Sequence, residues 1–236
     1  MMVFLHNVAT LVALLNFSVV LAQNEYHEDD PRCLGWAEAG ECDANPNYMW
    51  EFCRYECELI EKENESDLFG INDFFDLKAL NIDQEEISFK QFRGKFTVVT
   101  NVASYCGYTK SHYSQLVELY GKLKSTNKVE IMAFPCNQFG AQEPETCDKI
   151  KLFAESKGVE FMMMDKVDVN GRNTSPVFKL LKKSTKTLSI KWNFNTYFVV
   201  DPHGSVTAYH GIDPSDLFIP LVDAINNEHA YEGDEM

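Results

Sequence analysis

Cys106 is placed to act as a nucleophile. It stands in Asn101-Val102-Ala103-Ser104-Tyr105-Cys106-Gly107-Tyr108-Thr109, between a run of β-branched residues and a stretch with helical spacing. Backbone N–H groups and the positive end of a helix favour the thiolate, which is the attacking form of sulfur. Gly107 has no β-carbon, so a small substrate atom can approach the backbone closely. A thiolate that attacks and expels an anion needs neutral donors to stabilise that anion. Two other segments are rich in them: Phe134-Pro135-Cys136-Asn137-Gln138-Phe139-Gly140, followed by Gln142-Glu143-Pro144, and Lys191-Trp192-Asn193-Phe194. The amides of Gln138 and Asn193 and the indole N–H of Trp192 are the candidate donors.

The elements around these residues alternate. Residues 74–80 and 87–89 read as short strands, and 95–102 as a buried strand rich in β-branched residues. Leu116, Leu119, Tyr120 and Leu123 recur at helical spacing within 111–123, and 129–134 returns to a buried strand, which makes a βαβ unit. Residues 144–156 read as a second helix with Pro144 in its first turn, 161–163 as a strand, and 175–181 as a third helix. Asp201-Pro202-His203-Gly204 is a turn between strands at 197–200 and 205–209, and 214–225 closes as a helix. The expected fold class is α/β, a thioredoxin-like sandwich.

The seven cysteines fall into two groups. Cys33, Cys42, Cys53 and Cys57 crowd a segment too small for a core of its own and read as two disulfides, with three pairings open from spacing alone. Cys106, Cys136 and Cys147 are scattered, so at least one thiol stays outside a structural pair. Cys136, at the end of a buried strand, reads as a core thiol. The apolar run 8–21, with Ala22 near a cleavage point, reads as a signal peptide over 1–22, hence a secreted, extracellular protein. Asn64-Glu65-Ser66 and Asn173-Thr174-Ser175 are glycosylation sequons. Residues 61–69 are polar and acidic and read as an exposed linker, and 230–236 as an acidic tail. A formal charge of -15 repels phosphate backbones and excludes nucleic acid as a partner. His112, His203 and His210 have no partners at metal-ligand spacing, so no metal site is expected.

Residues 30–60 resemble the ShK-type toxin-like module: Trp36-Ala37 after one cysteine, Gly40-Glu41-Cys42, Asn45-Pro46 then Met49, and three residues between Cys53 and Cys57. Two of that family's six cysteines are missing, and they are partners of each other. The resemblance therefore implies Cys33–Cys53 and Cys42–Cys57. Asn47 stands before Tyr48 where channel-blocking members carry Lys, so a docking role toward an extracellular target, whose identity the sequence does not give, is the expectation rather than channel block.

Residues 70–229 resemble the glutathione peroxidase family. The three blocks quoted first are its signature segments, and Asp165-Lys166-Val167-Asp168-Val169-Asn170-Gly171 is a fourth. The resemblance implies a peroxidatic Cys106 assisted by Gln138, Trp192 and Asn193, acting on hydrogen peroxide and organic or lipid hydroperoxides without a bound cofactor. The short join between Leu181 and Trp192 is similar to the monomeric phospholipid-hydroperoxide branch. Many cysteine members carry a resolving cysteine at a position aligned near Glu155, where this chain has none. Cys147, about two turns earlier in the expected helix, is the candidate for a displaced resolver used with thioredoxin. Without one, the sulfenic acid on Cys106 must be reduced directly by a small thiol such as glutathione, and Lys191 is the candidate to receive its carboxylate. The reading from another class is a weakly active secreted binding or matrix protein.

Overall fold

The structure, a computed structural model, describes residues 30–233. The expected signal peptide and residues 234–236 of the expected tail lie outside the described residues. The centre of the larger domain is β3 (Phe96–Val102), in which all seven residues are buried. It pairs in parallel with β4 (Val129–Pro135) and antiparallel with β6 (Thr196–Val200). β5 (Met162–Met163) extends the sheet beyond β4, and β7 (Val206–His210) beyond β6, giving the order β5-β4-β3-β6-β7. β1 (Lys78–Leu80) and β2 (Glu86–Ser88) form a separate antiparallel pair.

Both faces of the sheet are covered, which is why β3 is buried along its whole length without alternation. Val98 and Val102 point toward Leu116 and Leu119 of α5 (Thr109–Leu123), Ile150 of α6 (Cys147–Ser156) and Leu221 of α8 (Phe218–Gly233). Val99, on the opposite face as the two-residue period requires, joins Phe134, Phe198 and Phe178 of α7 (Pro176–Thr185). The β3-α5-β4 crossover puts the start of α5 at the C-terminal edge of the sheet.

Three boundaries depart from the sequence reading. Residues 74–76 form a 3-10 turn instead of a strand start, because the Asp73 and Asp76 carboxylates form a capping box at its N-terminal end, accepting from Phe75 N–H and Asp73 N–H. α6 starts at Cys147, not at 144. The carbonyls before it are engaged elsewhere, that of Gln142 by Tyr105 N–H and those of Glu143 and Glu145 by Lys166 Nζ. The expected acidic tail is helical through Gly233 as the end of α8.

The N-terminal module consists of α1 (Cys33–Ala39), α2 (Glu41–Ala44), α3 (Pro46–Phe52) and α4 (Arg54–Asp67). Disulfides Cys33–Cys53 and Cys42–Cys57 join them in the pairing the resemblance implied, around a small core that includes Ala37, Met49 and Ile60. Residues 61–67 of the expected acidic linker at 61–69 are the end of α4. Its Glu and Lys residues favour helix, and two of its carboxylates have partners on the larger domain: Glu63 pairs with Arg172, and Asp67 with Lys179. Asn64, expected in that linker as a glycosylation acceptor, is a half-buried helical residue whose Oδ1 is enclosed. Asn173 is exposed in a turn.

Candidate active site

Where β3 runs out, the chain makes a tight turn stabilised by one threonine. Thr109 Oγ1 accepts from Cys106 N–H at 3.0 Å and donates to Ala103 O at 2.6 Å. That arrangement seats Cys106, 7% exposed, just ahead of α5. The space beside Gly107 is open, with no atom within 4 Å of where a β-carbon would stand. Tyr105 and Tyr108 in this turn, and Trp192, are exposed aromatic residues.

Asn193 is fully buried and held by two amides. Asn101 Nδ2, on β3, donates to its Oδ1 at 3.0 Å, and its own Nδ2 donates to Gln142 Oε1 at 3.3 Å. Gln142 in turn accepts Tyr105 N–H on its backbone carbonyl at 3.0 Å, one residue before Cys106. Trp192 rests against Phe139, ring centroids 5.8 Å apart. The structure thus draws the Trp192-Asn193 segment and the Gln142 backbone to the Cys106 turn.

Gln138 is a correction to the sequence reading. Its Oε1 accepts from Val169 and Asn170 N–H at 2.8 and 3.0 Å, and its Nε2 donates to Asn170 O at 2.8 Å. The amide is committed to the 169–170 backbone instead of the thiol. The glutamine joined to Asn193 is Gln142, four residues on in the same block and missed by the sequence reading. Its signal was the Gln-Glu-Pro that follows the glycine.

Glu143 is fully buried. Ser104 Oγ donates to its Oε2 at 2.9 Å, while Oε1 has no hydrogen-bond partner among the described residues. Burial pushes its carboxyl above the ordinary glutamate value, against the smaller lowering effect of Ser104.

The other two free thiols differ from Cys106. Cys136 is buried and pushed up to about 11, mainly by burial, as befits the expected core thiol. Cys147 opens α6 and lies 3.0 Å from Asp165 Oδ1. Burial, and then this carboxylate acting as acceptor for its S–H, raise its pKa. Lys191 is exposed, within electrostatic reach of Asp43 in the N-terminal module. A cleft of about 280 Å³ adjoins Asn193, walled by Tyr108, His112, Phe194 and Ile212 and rimmed by Asp213. His112 there bonds the Tyr197 hydroxyl at 2.7 Å.

A glutathione peroxidase family model matches residues 74–182. A probable phospholipid hydroperoxide glutathione peroxidase of Citrus sinensis is 45% identical over 139 residues, spanning 57% of this chain and 82% of that protein. The mitochondrial glutathione peroxidase 1 of Chlamydomonas reinhardtii is 41% identical over 162 residues, 66% of this chain and 80% of its own. Among solved structures, Trgpx in apo form superposes with a TM-score of 0.55 at 30% identity, covering 66% of this chain and 97% of that one. T. cruzi GPX1 does so at 0.53 and 29%, with the same coverage. The family match spans β1 to β5 and contains the Cys106 turn, and the two solved structures share the thioredoxin-like α/β fold. The chain is a glutathione peroxidase-like oxidoreductase and belongs to the glutathione peroxidase family.

Proposed function

We propose that the protein is a secreted peroxidase that reduces hydrogen peroxide and organic or lipid hydroperoxides at Cys106 and is regenerated by glutathione. The observation behind this reading is the convergence of the Gln142–Asn193 amide pair and Trp192 on the turn that holds a free Cys106. In the first step the Cys106 thiolate attacks one peroxide oxygen, the O–O bond breaks, and ROH leaves with the proton first held by the thiol. Cys106 becomes a sulfenic acid. One glutathione then condenses with it to a mixed disulfide, releasing water. A second glutathione exchanges at that disulfide, restoring the thiol and leaving oxidised glutathione.

The amides of Gln142 and Asn193 and the Trp192 indole supply the donors that stabilise the departing oxygen. The exposed rings of Tyr105, Tyr108 and Trp192 offer apolar surface to an acyl chain, in keeping with the name borne by the Citrus sinensis relative. Direct reduction by glutathione is favoured over a Cys147 resolver because Cys147 is partly buried, donates toward Asp165 and has a raised pKa, all of which lower its thiolate fraction. Secretion accords with two disulfides in the small N-terminal module. The short join between Leu181 and Trp192 accords with action as a monomer.

The deciding experiment is steady-state reduction of hydrogen peroxide and of a phospholipid hydroperoxide with glutathione or thioredoxin as reductant. It is run on the mature protein and on Cys106→Ser and Cys147→Ser. Turnover with glutathione that disappears only in Cys106→Ser supports the reading. Loss in both variants with thioredoxin transfers the resolving role to Cys147. No turnover in folded, reduced protein removes the peroxidase assignment.

A further inference from the structure

We propose that the N-terminal disulfide module is a working part of the peroxidase site: it fixes the 168–172 loop, and Asn170 in that loop acts as a positioning residue for the segment bearing Trp192 and Asn193. The inference rests on the function proposed above.

The contact begins where two glycines meet. A β-carbon on Gly171 would stand 2.1 Å from Glu38 O at the end of α1, and one on Gly40 would stand 2.9 Å from Gly171 N. Both glycines have positive φ, 79° and 93°, a conformation that side chains rarely adopt. Backbone is therefore packed directly on backbone, which a module tumbling on a tether does not require. Next to it, Arg172 N–H donates to Glu38 O at 3.0 Å. The Arg172 guanidinium spans the module, 2.8 Å from Glu38 Oε1 and 2.6 Å from Glu63 Oε1.

Two residues before Arg172, Asn170 reaches toward Ile190. Its side chain forms a two-point clamp on the backbone of Ile190, donating from Nδ2 to Ile190 O at 2.8 Å and accepting Ile190 N–H on Oδ1 at 2.9 Å. Its own peptide groups are gripped by the Gln138 amide. Ile190 leads into Lys191, Trp192 and Asn193. A path of polar contacts, linked by short stretches of backbone, thus runs from Glu38 and Glu63 through Arg172 and Asn170 to the Trp192-Asn193 segment beside the Cys106 turn. The placement of those donors to within a fraction of an ångström governs rate, so loosening the path should be felt at the thiol.

The test compares four full-length proteins with the parent: Asn170→Ala, Arg172→Ala, the module-side pair Glu38→Gln/Glu63→Gln, and Lys78→Ala as a surface-pair control. Two quantities are read at Cys106: the second-order rate constant for its oxidation by hydrogen peroxide, and the pH profile of its alkylation by iodoacetamide, followed by mass spectrometry. Circular dichroism establishes folding. Oxidation is expected to slow on the order of 10-fold in Asn170→Ala and several-fold in the Arg172 and Glu38/Glu63 variants. The alkylation midpoint should move in all three and stay put in Lys78→Ala. Combining Arg172→Ala with the module-side pair should add little, since both break one contact. Folded module-side variants with the parent's oxidation rate and alkylation profile would overturn the proposal, and they decide the matter even where Asn170→Ala does not fold. If the parent's Cys106 is not oxidised by peroxide at all, the peroxidase reading falls, while the alkylation profiles still decide whether the module reaches the thiol.

Discussion

Asn193 Nδ2 donates to Gln142 Oε1 across 3.3 Å, joining two sequence blocks 51 residues apart at the turn that holds Cys106. The two glutamines of the 134–144 block therefore have separate partners, Gln142 meeting Asn193 and the Tyr105 backbone beside Cys106, and Gln138 the 169–170 backbone. Substituting each should give different losses. Gln142→Ala is expected to lower kcat/KM for hydrogen peroxide by on the order of 100-fold, the usual effect of deleting one preorganised donor, with little change in melting temperature. Gln138→Ala removes the acceptor of two backbone N–H groups and should cost about 1 kcal/mol of stability, with a smaller kinetic effect carried through Asn170. Parallel melts and steady-state kinetics separate the two, and equal kinetic losses would mean that Gln142 has no special part.

What the sequence allowed and what it hid follow one physical division. Cys106, the strand before it and the helix after it are local: β-branched residues, helical spacing and the Thr109 hydroxyl act within a few residues. The Gln138 misassignment arose because Gln138 and Gln142 share composition and block, and what orients each amide lies elsewhere, Asn170 for one and Asn193 for the other. The 61–67 segment looks like a linker by polarity. It is helical against the larger domain because Glu63 and Asp67 find Arg172 and Lys179 more than a hundred residues away, and no local pattern announces a partner at that separation. The disulfide pairing was legible only through the resemblance, since four cysteines allow three pairings.

Cys147 should be the slower thiol to react. Its pKa is raised by burial and by Asp165, so at neutral pH little thiolate is present, and its S–H bond must be broken for attack. One equivalent of hydrogen peroxide is expected to leave Cys106 as a trappable sulfenic acid, with no Cys106–Cys147 disulfide in non-reducing peptide maps. Asp165→Asn should lower the Cys147 pKa by removing a repulsive charge, and so quicken its alkylation at pH 7. A disulfide forming faster than the sulfenic acid can be trapped would restore Cys147 as resolver.

The module should depend on its cross-links more than the sheet domain does. Cys33 and Cys53 close a separation of 20 residues and Cys42 and Cys57 one of 15. Loop-closure entropy then makes each bond worth about 3 kcal/mol, comparable with all that a core of this size can supply. Cys33→Ser/Cys53→Ser is expected to melt the module first, seen as hydrogen exchange that rises over 33–67 while β3 and β4 stay protected. Uniform exchange gain across both domains would show that they unfold as one unit.

Glu143 makes stability fall with rising pH. Burial raises its pKa in the folded protein above the ordinary value of 4.5. The folded chain therefore keeps a proton that the unfolded chain has released. The associated stability is fully present below that ordinary value and is lost as pH rises through the raised one. Glu143→Gln keeps an acceptor for Ser104 Oγ and removes the titration. Its melting temperature relative to the parent should climb across that window. Glu130 and Asp168, also raised by burial, act in both proteins and cancel in the difference. A melting difference that stays flat from acid to neutral pH would mean that Glu143 binds its proton equally in the folded and unfolded chain, its Ser104 bond offsetting its burial.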